Sequence, residues 1–408
     1  MIISPKDREY LRNLAKKQLE YASTAENKER EAKWYAHNDL KINDPRVTME
    51  IEGNFYKEVA RPLVCETEAA RQVEEKLLIQ LIAREDVNDD RVTPDFYGIY
   101  RYGWINPFGL EIKQSRQLDS LAYTYDYHIT DLEADFHKLG KSTWDCEIEQ
   151  PQKDADFAAD IIGDILPVRI LTRGPYGSLA IRLIGLMSME TMMYSLLDYA
   201  DLFHKAMDML TNDMIEYLQD LESRRFYLVN NYNVYVNMGT YGFTKDLPSE
   251  PVLLKNTWGF LDAQECVSIG CDMFNEFFFP YYKRIADLVG LLNYGCCEPV
   301  HELWDRCVGK FTNLRKVSIS PWCDEAFMGD RLRGGNVIYH RKPDPSVLSM
   351  DKVFDEERFK THIIATLKAA KGCPLEFSFR DVYSFQGDKQ RGKRCVDLVK
   401  QCISEHWQ

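Results

Sequence analysis

The chain has 408 residues, and with 45% hydrophobic and 28% charged residues it reads as a soluble globular protein that can bury a large core. A net charge of −13 excludes a nucleic-acid surface, which needs clustered Lys and Arg, and no apolar run approaches the roughly 20 residues that span a bilayer. The first 27 residues lack the apolar core of a signal peptide, so the eleven cysteines are expected as free thiols in a cytoplasmic protein.

Residues 5–35 place Leu11, Leu14, Leu19 and Tyr21 among many charges and read as a helix. In 66–84, Ala69, Val73, Leu77, Leu78 and Leu81 recur near the 3.6-residue period of a second helix. Residues 86–156 are mixed, with strand-like aromatic pieces such as 96–104 between acidic turns. After about 160 the pattern becomes regular. A strand at 168–172 ends in Arg173-Gly174-Pro175, and helices rich in Leu and Met run through Arg225. Segments 226–230 and 256–261 are strand-like, 273–289 is helical, and 291–296 is a strand followed by an amphipathic segment at 300–308. Strands are then expected at 314–320, 336–340 and 374–381, with helices running through Arg333 and over 356–371 and 391–404. Strands alternating with helices imply a parallel sheet, and no Gly-x-Gly-x-x-Gly or Walker-type loop supports a nucleotide fold. The expectation is an α/β protein, a (β/α)8 TIM barrel over 160–408 with a largely helical N-terminal cap over 1–159.

The least generic stretch is Leu291-Leu292-Asn293-Tyr294-Gly295-Cys296-Cys297-Glu298-Pro299, an apolar run that ends in a glycine, two thiols and a carboxylate. In a barrel, chemistry sits at the carboxyl ends of the strands. The thiols Cys296 and Cys297 are expected to bind one zinc, with Glu298 and Asp381 as candidate oxygen ligands. Glu298, Asp381 and Arg380 are the candidate catalytic residues; Trp258, Tyr294, Trp322, His340 and Lys342 are the candidate substrate-binding ones. Each has an ordinary alternative: cysteine and tryptophan pack in cores, and lysine or arginine at a strand end solvates a rim. In the last strand Glu376, Ser378 and Arg380 share one face, expected to point inward, while Leu375, Phe377 and Phe379 should meet the helices. Cys373 precedes that strand and belongs at its opposite end.

The chain resembles the uroporphyrinogen decarboxylase superfamily, which also contains the corrinoid-dependent methyltransferases. Gly174-Pro175 followed by Ser178-Leu179-Ala180 looks like the family's Gly-Pro-Phe-Thr-Leu-Ala segment. Cys271-Asp272-Met273-Phe274-Asn275-Glu276-Phe277 with Pro280 looks like its Ser-Pro-x-x-Phe-x-Glu-Phe helix, and Asn293-Tyr294-Gly295-Cys296-Cys297 falls where the methyltransferases carry Leu-His-x-Cys-Gly. The arginine-rich Arg-Gln-Ala-Gly-Arg element of the true decarboxylases has no counterpart, since Arg71-Gln72 is followed by Val73-Glu74-Glu75. Tyr294 stands at the methyltransferases' histidine position, and Asp381 replaces their later cysteine.

The resemblance implies a methyltransferase of the O- or N-demethylase type, moving a methyl group from a small methylated molecule to a corrinoid. Asp126-Tyr127-His128 is followed by Asp131 rather than the glycine of a cobalamin-binding signature, so the corrinoid is expected on a partner protein. A second copy of the chain is a further candidate partner. The alternatives are a decarboxylase or lyase, with Arg380 or Lys342 clamping a carboxylate, and a non-catalytic ligand-binding barrel.

Overall fold

The computed structural model describes residues 3–407 except 52 and 117–122, and only the backbone of 53–55, 116 and 123. Short runs of β-branched and aromatic residues form its parallel strands: β1 (Arg46–Met49), β2 (Tyr97–Tyr100), β3 (Val168–Leu171), β4 (Trp258–Leu261), β5 (Leu291–Tyr294), β6 (Leu314–Ile319), β7 (Ile338–Arg341) and β8 (Leu375–Phe379). Six of them make one parallel sheet in the order β1-β8-β7-β6-β5-β4, while β2 and β3 pair with each other. No ladder among the described residues joins the pair to the sheet; a single bridge, Tyr176 to Phe260, touches β4 on its open side. The described residues thus form a mixed α/β fold around a six-stranded parallel sheet, with no closed barrel. Edge strand β1 comes from the first 159 residues and pairs in register with β8, Val47 opposite Phe377.

Several expected elements differ in detail. Segment 226–230 is not a strand: the Asn230 side chain takes a strand's place beside β4, accepting from the Trp258 N–H and donating to the Trp258 carbonyl at 3.0 Å each. The helix expected over 273–289 divides at Phe278 into Cys271–Phe277 and Phe279–Ala286, because Pro280 has no N–H to continue the ladder. Residues 300–308 form 3₁₀ turns rather than an amphipathic helix. The N-terminal helix is two, α1 (Pro5–Ser23) and α2 (Ala25–Asn38), separated at Thr24, whose hydroxyl caps α2 by accepting from the Asn27 N–H. A third helix, α3 (Glu68–Ile82), packs on α1.

The alternation in β8 falls as the sequence suggests. Leu375, Phe377 and Phe379 join the main hydrophobic core, Phe379 meeting Phe359 at 6.0 Å between ring centroids. Glu376 and Ser378 face the other way, into a buried polar layer. There Lys316 donates to Glu376 at 2.5 Å, His340 Nε2 lies 2.7 Å from the Ser378 hydroxyl, and Thr48 meets Ser378 at 2.9 Å. Helix α2 covers this layer: Lys316 lies 5.5 Å from the Trp34 ring and His37 stands 3.4 Å from Glu376. The hairpin of Tyr235–Asn237 and Thr240–Tyr241 enters beside it. Its Gly239 has φ +83°, and a Cβ there would lie 2.5 Å from the Ser378 oxygen, so no larger residue fits. No helix among the described residues is long and apolar enough to cross a membrane.

Candidate active site

At the carboxyl end of β5 the chain turns at Gly295, whose φ of +96° an L side chain rarely adopts. That turn delivers Cys296, Cys297 and Glu298. Glu298 is 2% exposed and acts as a clamp, its two oxygens accepting from the N–H groups of Ala263 (2.9 Å) and Cys296 (2.7 Å). Burial, then the nearby Asp262 charge, pushes its acid strength down, so its pKa is raised. The Cys296 and Cys297 sulfurs are 3.6 Å apart. Their mutual hydrogen bond, with burial, raises the Cys296 thiol, and the same bond lowers that of the more exposed Cys297 against its own burial. Lys342, just beyond β7, is buried beside them, and among the described residues its ammonium hydrogen-bonds only the Gly295 carbonyl, at 3.4 Å. Burial holds its pKa below the usual lysine range, against the pull of Cys296.

A second group lies at the end of β4. The Asp262 carboxylate accepts from Ser178 (2.5 Å) and Tyr176 (3.1 Å), while the Ser178 hydroxyl accepts from the Asp262 N–H at 2.8 Å. Tyr282 ties this turn to the split helix, accepting from the N–H groups of Leu179 and Ala180 and donating to the Asp262 carbonyl at 2.9 Å. Gly174 is required in the same segment, since a Cβ there would sit 2.3 Å from the Trp258 carbonyl oxygen. Burial, with Asp262 beside it, raises Glu265 to about 7, so it can hold or release a proton near neutrality.

The open space is elsewhere. A cavity of about 580 Å³ lies between β1, β2, α3 and the 235–241 hairpin, walled by Tyr100, Tyr235, Tyr241 and Phe96 and lined by Arg91, Arg173, Arg380 and Glu50. Arg173 has no carboxylate within ion-pair distance among the described residues; its guanidinium lies 5.1 Å from the Tyr235 ring and 5.7 Å from the Tyr100 ring. Arg91 is bound to Asp89 at 2.7 Å and leaves one buried nitrogen without a partner. Arg380 pairs with Glu50, and the other Glu50 oxygen accepts from the Tyr235 hydroxyl at 2.6 Å. Burial and the Glu50 charge push the Tyr235 phenol well up, so it keeps its proton at neutral pH.

The sequence-derived candidates separate. Arg380 lines the cavity, and Asp381, half-buried at φ +57°, is close enough for its charge to act on Cys297. Glu298, Cys296, Cys297 and Lys342 come together at the β5 end, outside the cavity lining. Trp258 opens β4 rather than closing it; its indole donates to the Gly242 carbonyl at 2.7 Å inside a small core. Tyr294 turns to the opposite face of β5 from Asn293 and packs on Phe311 at 5.4 Å between centroids. Trp322 is 72% exposed on the rim. His340 lies in the polar layer, where burial holds its pKa at about 3. Glu50, Arg91, Tyr235 and Asp262 were not picked out by local pattern because they lie on strand ends, a hairpin and the irregular segment before β2, whose places only the tertiary fold sets. Two sequence signals did mark the cavity, Arg173-Gly174-Pro175 after one strand and Arg380 after another.

The donor set does not fit the zinc that the sequence suggested. Both Glu298 oxygens are occupied by backbone N–H groups, and a buried ammonium stands beside the two thiols. Among the described residues no group of three His, Cys, Asp or Glu side chains is arranged to hold a metal ion.

No protein-family model matches the chain, and no curated protein matches it in sequence. Among solved structures it is similar to a methyltransferase from Methanosarcina mazei, with a TM-score of 0.51 and 13% identity, over 92% of this chain and 98% of that one. At that identity the likeness is one of fold.

Proposed function

We propose that the chain is a methyltransferase whose substrate is a small, flat, anionic methylated molecule held in the cavity between β1 and β2. The observation that carries this reading is the fold likeness to a methyltransferase over nearly the full length of both chains. The cavity supports the substrate class: Arg173 and the spare nitrogen of Arg91 offer charge-assisted hydrogen bonds to an anion, and Tyr100 and Tyr235 offer ring faces. The proton-bearing Tyr235, oriented by Glu50 and Arg380, would protonate the leaving oxygen or nitrogen as the methyl departs. The methyl acceptor in this reading is a corrinoid on a separate protein, which supplies the nucleophile. The uroporphyrinogen decarboxylase-like branch and the closure of the strands into a barrel belong to the same proposal, and no step in it uses a metal held by this chain.

A decarboxylase or lyase is the second reading, favoured by the surplus of guanidinium groups in the cavity, which would hold a carboxylate. The experiment is incubation of the purified protein with a reduced corrinoid protein and a panel of methylated aromatic acids, followed by chromatography of the products. Demethylated product that requires the corrinoid protein, and falls with Arg173→Ala and Tyr235→Phe, supports methyl transfer. Carbon dioxide release without the corrinoid protein replaces it with the second reading, and the absence of both products overturns both.

A further inference from the structure

The adjacent thiols at the end of β5 have no use in the reaction above, and their neighbourhood argues against a metal. Their geometry suits different chemistry. The sulfurs stand 3.6 Å apart, and a disulfide bond is about 2.05 Å long, so closure needs each sulfur to move by under about 1 Å. The two residues are unequally reachable: Cys296 is 6% exposed and pinned through its N–H to Glu298, whereas Cys297 is only partly buried. The Lys342 ammonium, without a carboxylate partner among the described residues, lies close enough to stabilise negative charge on either sulfur. Among the described residues, buried Cys373, Cys395 and Cys402 have no second thiol in contact; Cys307 does meet Cys271, but the cation near that pair, Arg306, is exposed and paired with Asp272.

We propose that Cys296 and Cys297 form a thiol–disulfide exchange site for low-molecular-weight disulfides, with Cys297 as the attacking sulfur and Cys296 as the resolving one. The Cys297 thiolate displaces one half of a disulfide RSSR, forming a protein–S–SR bond and releasing RS⁻. The Cys296 thiol gives its proton to that thiolate and displaces the second half, which leaves as RS⁻ and takes up the proton that Cys297 had shed. The two cysteines lose two electrons and close a disulfide between neighbouring residues; RSSR gains two and becomes two RSH.

The test is incubation of the full, folded chain with oxidised glutathione, followed by intact mass and peptide mapping. The wild type should lose two hydrogens, with the bond mapped to 296–297, and should bind one equivalent of phenylarsine oxide, a dithiol reagent, only before oxidation. Cys296→Ser should instead retain a glutathione adduct on Cys297, and Cys297→Ser should carry neither adduct nor disulfide at this site. Cys296→Ala provides a second trap, since an apolar side chain suits the buried position, and should give the same adduct. A wild type that stays reduced while both Cys296 variants stay unmodified overturns the proposal. So does a disulfide mapped elsewhere, such as Cys271 to Cys307, or one equivalent of zinc lost in both Cys296→Ala and Cys297→Ser.

Discussion

Lys316 on β6 and Lys342 just beyond β7 are both buried, and they do opposite things. Lys316 is matched: Glu376 accepts from it at 2.5 Å, the Trp34 ring lies on one side, and His340 and His37 stand within 3.4 Å of the same carboxylate. Lys342 is unmatched, with one long bond to a backbone carbonyl and two thiols for neighbours. The first arrangement fills the inside of the sheet and specifies how β1, β6, β7, β8 and α2 meet. The second leaves a cation available where the strand ends open. The cavity repeats that contrast, since Arg380 is neutralised by Glu50 while Arg173 is not. Matched charges here hold the fold together, and unmatched ones mark where an anion or a thiolate is to be received.

The comparison is broken most severely at Glu376. Replacing it with Ala leaves Lys316 buried and unpaired, and should cost roughly 3–5 kcal/mol of stability in urea unfolding. The double change Lys316→Met with Glu376→Leu should recover most of that loss, which a purely local packing defect would not. At the unmatched end, Arg173→Ala should weaken binding of an anionic aromatic ligand by about 1.5–3 kcal/mol in calorimetry while leaving the unfolding midpoint in place.

The matched layer also predicts a pH dependence. His340 is held neutral down to about 3 by burial, although Glu376 pulls the other way, whereas an unfolded histidine titrates near 6.5. A depressed histidine contributes stability that is fully present above about 6.5 and is lost as the pH falls from there toward 3, at up to about 1.4 kcal/mol per pH unit. Glu376, held below the usual carboxylate range by Lys316 and His340 despite its burial, adds to the loss below about pH 4.3. Unfolding followed between pH 4.5 and 7 should show the slope, and His340→Gln should flatten it. Lys342→Met removes a charge that has no partner carboxylate, so its unfolding midpoint should hold or rise slightly, by under about 1 kcal/mol. Trp322→Ala, on the exposed rim, should change stability by no more than about 0.5 kcal/mol.

Local pattern alone sufficed for the α/β class, the parallel strands 168–171, 258–261, 291–294, 314–319, 338–341 and 375–379, and the two faces of β8. Those are period-2 and period-3.6 signals, which a chain carries without reference to its partners. The thiol–carboxylate turn after β5 was legible for the same reason, because Gly295, Cys296, Cys297 and Glu298 are contiguous. What each side chain does there was not. Glu298 reads as a ligand in sequence and is a backbone clamp in space, because its acceptors are filled by an N–H from β4's loop as well as its own. Trp258 and Tyr294 were misplaced by two different errors, one of strand end and one of strand face. Strand 46–49 was invisible as a member of the sheet, and with it Glu50, since only pairing with residues more than three hundred positions away makes it one. The cavity that Glu50, Arg173, Tyr235 and Arg380 share is therefore a property of tertiary structure alone: distant segments set its walls, and no local pattern records which of them will meet.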